Sequence, residues 1–153
     1  PGYTWDYEVD KIGYKCYMID LTAALCLEQM KKLPKNLEWR RYIQSKYNKE
    51  LNSEIERPPH SETVQYYCAK VSPEHRANLI DYLASKNIHT SVHFKPLHKY
   101  EIIKNNMTHK DKKFPIADRE WLKLITLPVH PAMSEEDIDY VIYWVNKYFE
   151  NEI

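Results

Sequence analysis

The residues best suited to chemistry in this chain are three closely spaced histidines, His89, His93 and His98. On an extended strand, residues 89, 91 and 93 face the same way, so His89 and His93 could share a face. Pro96 then turns the chain and returns His98 towards them. A zinc site needs three or four ligands in a tetrahedral arrangement, which this spacing permits without requiring. There is no H-E-x-x-H pattern and no cysteine nearby, and the expectation is that no metal is bound. Two other readings stay open: exposed or hydrogen-bonded histidines, and polar histidines lining a substrate cleft. No G-x-S-x-G signature marks a nucleophilic serine. Paired acids for glycoside chemistry need a separation that sequence does not give. Only Gly2 and Gly13 are glycines, so both common glycine-rich phosphate loops are excluded. A phosphate would have to be held by side chains or a helix N-terminus.

The elements that position these residues follow from periodicity. Pro1 to Ile12 is aromatic and acidic, and reads as an irregular lead-in. Its tyrosines could stack on a base or sugar, but core or interface packing is the simpler role. A helix is predicted from Ile19 to Leu33, ended or redirected by Pro34. Its first half is apolar nearly all round, as in helices buried against a larger body or a partner chain. A second helix is predicted from Asn36 to Asn52, where Trp39, Tyr42, Ile43 and Tyr47 recur at helical spacing. The basic run from Lys31-Lys32 to Arg40-Arg41 is a solvated face. Pro58-Pro59 marks a linker, and Thr63 to Val71 a strand. Ser72-Pro73-Glu74 opens a helix to Lys86. Ile88 to Phe94 reads as a second strand, Lys104 to Lys113 as a mobile basic loop, Ile116 to Leu124 as a helix and Leu124 to Leu127 as a short strand. Ser134 caps a last helix with Ile138, Val141, Ile142, Val145 and Phe149 on one side. The class is α+β: a small, mostly antiparallel sheet with helices on one face, preceded by two helices. Residues 1–57 form a helical segment and 58–153 the small domain.

Composition narrows the function. Lys+Arg and Asp+Glu are both 22, so the formal charge is zero, without the basic excess of a nucleic-acid-binding domain. No stretch is long and apolar enough for a membrane span, and the first residues lack a signal-peptide pattern. Cys16, Cys26 and Cys68 are scattered and odd in number, as expected of reduced thiols in a cytoplasmic protein.

Several phrases, taken in order, resemble the C-terminal part of the DegT/DnrJ/EryC1/StrS family of pyridoxal-phosphate-dependent sugar aminotransferases. They are Gly13-Tyr14-Lys15 with Met18, Asp20, Leu21, Ala23 and Ala24; Gln29-Met30; the Arg40-Arg41 pair with Tyr47; Tyr66; Arg76; Ile88 to His98; Phe114 to Ala117; and Leu127 to Pro131. The resemblance implies the small domain of a fold-type-I transferase, as part of a homodimer. The intact enzyme would move an amino group from glutamate to a nucleotide-linked keto-sugar. It implies cofactor contacts at Lys15, facing the cofactor phosphate, and Tyr14, and substrate contacts at Tyr17, His93, Lys95 and His98. Cys16 and Tyr17 depart from the family's usual Tyr and Arg/Asn, while Asn87 stands for a glycine and suits a left-handed helix end.

The family's cofactor lysine lies in a Ser-rich segment with a Gly-Gly turn, and nothing here resembles it. The acid that pairs with the pyridine nitrogen and the aromatic that stacks on the ring also fall N-terminal to this region. The chain is therefore expected to be a fragment starting in mid-protein, with no catalytic residue of its own and inactive alone. The resemblance leaves open a related dehydratase, since the family includes members in which histidine replaces that lysine. A short non-catalytic binding module derived from the family is the alternative reading, and a small histidine-based metal protein the third.

Overall fold

The computed structural model describes residue 14, residues 17–106 and residues 112–151. Among these, α1 is Asp20–Glu50, β1 Tyr67–Lys70, α2 Pro73–Ser85, α3 Glu101–Asn106, α4 Pro115–Trp121, β2 Leu124–Leu127 and α5 Glu135–Asn151, with a 3₁₀ turn at Leu97–Lys99. Two compact units divide between Leu33 and Pro34.

In the first unit, Tyr17, Met18, Leu21, Leu25, Leu27 and Met30 are all exposed. The second unit holds the core. Pro34, expected to end or redirect a helix, lies inside α1, which replaces the two predicted helices. A proline in a helix interior costs about 3 kcal/mol through one lost hydrogen bond and a clash with the preceding turn. Tertiary burial outweighs that cost, because Ile43 and Tyr47 on the same helix are fully buried. The C-terminal end of α1 is secured by α5: Asn146 Oδ1 accepts from the Asn52 N–H at 2.7 Å, and Asn146 Nδ2 donates to the Glu50 carbonyl at 2.8 Å. Arg57 adds its guanidinium, donating to the carbonyls of Leu51, Asn52 and Ile55, where the helix dipole favours a cation.

β1 and β2 pair antiparallel, with Tyr67 opposite Leu127 and Lys70 opposite Leu124. The predicted strand 63–71 thus shortens to four residues. The predicted strand 88–94 shrinks to a single bridge, Ser91 to Thr126, on the other edge of β2. Pro96 and the 3₁₀ turn at Leu97–Lys99 on its C-terminal side leave it no room to run on. The sheet is antiparallel and the class α+β, as expected.

Helix ends follow the local chemistry with one exception. Ser72 precedes α2 but makes no side-chain cap, because its hydroxyl donates to Glu74 Oε1 at 2.8 Å instead. At the other end of α2, Asn87 takes φ 58°. Its N–H reaches Ala84 O at 3.0 Å and that of Ile88 reaches Leu83 O at 2.9 Å, a Schellman closure. Ile88 and Leu83 are both buried, supplying the apolar contact that accompanies this closure. Ser134 and Asp137 form a reciprocal cap on α5, with each side chain accepting from the other's N–H, at 2.9 and 3.2 Å. The predicted apolar face of α5 is buried at all five positions. Part of the predicted 104–113 loop is helical, in α3, and residues 107–111 lie outside the described residues. No helix among the described residues is long and apolar enough to cross a membrane.

Candidate functional site

The three histidines have three different surroundings. His89 is exposed and lines a pocket of about 540 Å³ with Asn87, His130, Asp137 and Tyr140. His93 is half-buried beside the sheet. Its Nδ1 lies 2.9 Å from Oγ1 of Thr126, the third residue of β2, and its ring packs 4.3 Å from that of Tyr66. Cys68 Sγ is 3.4 Å from the same threonine hydroxyl. The bridge between Ser91 and Thr126 sets this geometry, since it fixes the segment two residues before His93. His98 Nε2 is 2.9 Å from Asp118 Oδ1, and its ring packs on Phe114 at 4.8 Å. Among the described residues no group of three His, Cys, Asp or Glu side chains is placed to hold a metal ion.

His98 and Lys95 share a second, open cleft of about 620 Å³. The Lys95 ammonium sits 5.1 Å over the Tyr100 ring. Asp118 also meets Lys99 Nζ at 2.9 Å. Lys99 first, then His98, hold the Asp118 carboxyl below its ordinary range. The chemistry offered here is orientation and charge: a half-buried imidazole against a hydroxyl at His93, and ammonium groups around a cleft at Lys95. Of the other predicted site residues, Tyr14 and Tyr17 are exposed in the first unit. Lys15 lies outside the described residues. The described residues alone build no enclosure for a pyridoxal phosphate group.

Thr126, Asp118 and Lys99 were missed as partners by sequence reasoning. Asp118 directly follows the Phe114 to Ala117 phrase, but its pairing with His98, 20 residues earlier, is a tertiary fact. Two residues of the recognised phrases turn out to be braces. Arg40 Nη1 donates to the carbonyls of Val64, Gln65 and Val129, at 3.2, 3.0 and 3.2 Å. Tyr47, fully buried, donates its hydroxyl to Pro128 O at 2.9 Å. Both hold the Leu127 to Pro131 segment on α1. Arg76 has a comparable role, donating to Trp121 O at 2.7 Å with its guanidinium 5.3 Å over the Trp121 ring.

Comparison with known proteins agrees with this architecture. The DegT/DnrJ/EryC1/StrS aminotransferase family matches over residues 2–146. A dTDP-4-dehydro-2,3,6-trideoxy-D-glucose 4-aminotransferase of Saccharopolyspora spinosa is 30% identical, over 97% of this chain and 39% of its own length. The spore coat polysaccharide biosynthesis protein SpsC of Bacillus subtilis is 33% identical, over 91% of this chain and 39% of its own length. Among solved structures, Spr1654 of Streptococcus pneumoniae, assigned as a sugar aminotransferase and solved in a PLP-form, superposes with a TM-score of 0.81 at 30% identity. That superposition covers 98% of this chain and 40% of Spr1654. The chain thus spans about two-fifths of the length of the relatives it matches, and it belongs to the DegT/DnrJ/EryC1/StrS aminotransferase family.

Proposed function

We propose that this chain is the C-terminal portion of a pyridoxal-phosphate-dependent aminotransferase that acts on a nucleotide-linked keto-sugar, with glutamate as amino donor, in amino-sugar or polysaccharide biosynthesis. The observation that carries the reading is the family match along nearly the whole chain combined with coverage of only 39% of each relative. The name of the S. spinosa relative supports a dTDP-linked keto-sugar as the kind of substrate. When bound, the cofactor supplies an electron sink and carries the amino group between donor and acceptor. In this reading Lys15 contributes a compact ammonium to its phosphate, beside Tyr14. Tyr17, His93, Lys95 and His98 contact the substrate in this reading, with Thr126 holding the His93 ring. Residues 1–57 join the small domain to the larger body that carries the cofactor lysine, and this chain alone is inactive. The intact enzyme is a cytoplasmic homodimer.

The test is amino transfer by the intact protein from its source. Loaded with pyridoxal phosphate and given glutamate, it should convert the cofactor to its amine form, seen as an absorbance shift, and release 2-oxoglutarate. A keto-sugar nucleotide should reverse the shift. Absence of both changes in a correctly loaded protein contradicts the reading.

A further inference from the structure

The two faces of the small sheet differ in character. Side chains alternate along β1 and β2, and Tyr67, Ala69, Ile125 and Leu127 are the four that enter the core. The opposite face carries Cys68 and Thr126, which stand directly across from each other in the register. Tyr66, two residues before Cys68, belongs to that face as well. Ser91 joins from the far edge: its N–H donates to Thr126 O at 3.1 Å, and the Thr126 N–H returns to Ser91 O at 2.7 Å. His93, two residues on, reaches the same face and meets both Thr126 and Tyr66 there. Thr126 itself is buried, so its hydroxyl depends on these neighbours rather than on bulk water.

That hydroxyl has a single proton to give. Two groups compete for it: His93 Nδ1 at 2.9 Å and the Cys68 thiol at 3.4 Å. Sulfur is a weak acceptor, whereas a bare imidazole nitrogen is a good one. The stronger arrangement gives the O–H to Nδ1 and lets the thiol S–H donate weakly to the hydroxyl oxygen. The reverse arrangement spends the hydroxyl's proton on sulfur. An Nδ1 that accepts carries no proton, so in the neutral ring the proton sits on Nε2. Two aromatic rings limit the swing of the imidazole away from this bond: Tyr66 at 4.3 Å and Phe94, edge-on, at 4.5 Å. Nε2 has no hydrogen-bond partner among the described residues.

We infer that Thr126 is a positioning residue: with Cys68 behind it, its hydroxyl fixes neutral His93 in the Nε2–H form, so that the ring meets a ligand as a donor to an acceptor oxygen. A ligand that presents its own donor at this point is disfavoured, because the half-buried Nε2–H is then left unpaired. The tautomer stands on the sheet geometry alone. Only the identity of the oxygen, as one of the substrate's, rests on the transaminase reading, which assigns His93 to the substrate.

The experiment is proton–nitrogen NMR of the full chain, isotope-labelled at the histidine ring nitrogens, at about pH 9, where free imidazole is neutral. Couplings to the ring protons tell the protonated nitrogen from the bare one, and loss of the signal in His93→Gln assigns the ring. His93 is expected in a single form, Nε2 protonated and Nδ1 bare. An unconstrained ring samples both forms, so Thr126→Val should shift the ratio about tenfold towards Nδ1–H. Thr126→Ser, which keeps the hydroxyl, should restore it. Valine suits a strand as threonine does, and the amide signals of β1 and β2 report whether the sheet survives. An Nδ1–H form or an even mixture in the unaltered chain overturns the inference, as does a ratio unmoved in folded Thr126→Val. In the intact protein, Thr126→Val should lower the rate with a keto-sugar nucleotide, relative to that with glutamate, by about tenfold, again restored by Thr126→Ser. A fixed tautomer in an intact protein whose rate ratio does not move, or which transfers no amino group, upholds the positioning role and contradicts only the assignment of His93 to that substrate.

Discussion

Arg40 and Arg41 are adjacent and chemically identical, yet their structural weights should differ by several-fold. Arg40 is half-buried and directs Nη1 at three backbone carbonyls, those of Val64 and Val129 being partly buried. That nitrogen carries two hydrogens, so two of the three bonds form fully at any moment. Hydrogen bonds from a charged donor contribute roughly 1.5–3 kcal/mol each, and the one at Gln65 is exposed and counts for less. Arg40→Ala should therefore cost about 3 kcal/mol, since it also leaves buried carbonyls unpaired. Arg40→Lys reaches one acceptor without the fork and should cost about half that. Arg41 instead meets Glu62 at 3.1 Å with both side chains largely in water, so Arg41→Ala should cost less than about 1 kcal/mol. Urea denaturation of the three variants, followed by circular dichroism, measures the order directly. The Arg40→Ala melting temperature should fall by about 10 °C. An Arg40→Ala loss below 1 kcal/mol, or an Arg41→Ala loss as large as it, would refute the bracing of the Pro128–Val129 segment.

Other consequences can be checked on the same chain. Ser134→Ala removes one half of the reciprocal cap on α5 and should cost about 1 kcal/mol in a urea melt, with Ser134→Asp largely retaining stability. Leu79→Ala opens a cavity at a fully buried α2 position and should cost about 2–5 kcal/mol, whereas Leu79→Met should cost under about 1.5. Acid should weaken the fold through Asp118 and Glu120, whose ordinary values are 3.8 and 4.5. Lys99, then His98, lower the first, and Arg119, then Lys70, lower the second to about 2. A carboxyl depressed in the folded state adds stability above its unfolded value, and that contribution is lost as pH falls below it. Thermal melts should thus show a steepening loss below about pH 4.5 that is shallower in Asp118→Asn and Glu120→Gln, and weaker in high salt. A pH profile unaltered by both substitutions would count against these pairs.

Much of the architecture was legible because it is local. The apolar stripe of α5, its Ser134 start, the left-handed Asn87 and the short strand at Leu124–Leu127 all follow from side-chain type and spacing. The errors arose where tertiary contacts outweighed local preference. Pro34 did not break α1, because the residues after it are anchored in the core. Ile88 to Phe94 had the composition of a strand but pairs only through Ser91. The family phrases were visible as text, but the reasons for several of them were not. Arg40 read as part of a solvated basic face and Tyr47 as one of the aromatics at helical spacing, and in the fold both brace carbonyls of a segment some 80 to 90 residues away. The histidines looked like one cluster because they are close in sequence. The bridge at Ser91 and the turn at Leu97–Lys99 send His93 to Thr126 and His98 to Asp118. The lysine-lined cleft was half visible as a basic loop, but its convergence with Lys95 and Lys99 needs the folded chain.

The coding region upstream of Pro1 in the source of this chain offers the most direct test of the central claim. The account predicts an open frame of on the order of 200 further residues carrying a cofactor lysine ahead of a Gly-Gly turn, in keeping with the 39% coverage of relatives. A histidine in place of that lysine would contradict the transaminase assignment and direct attention to the dehydratase branch. A start codon immediately before Pro1 would contradict the enzyme reading altogether.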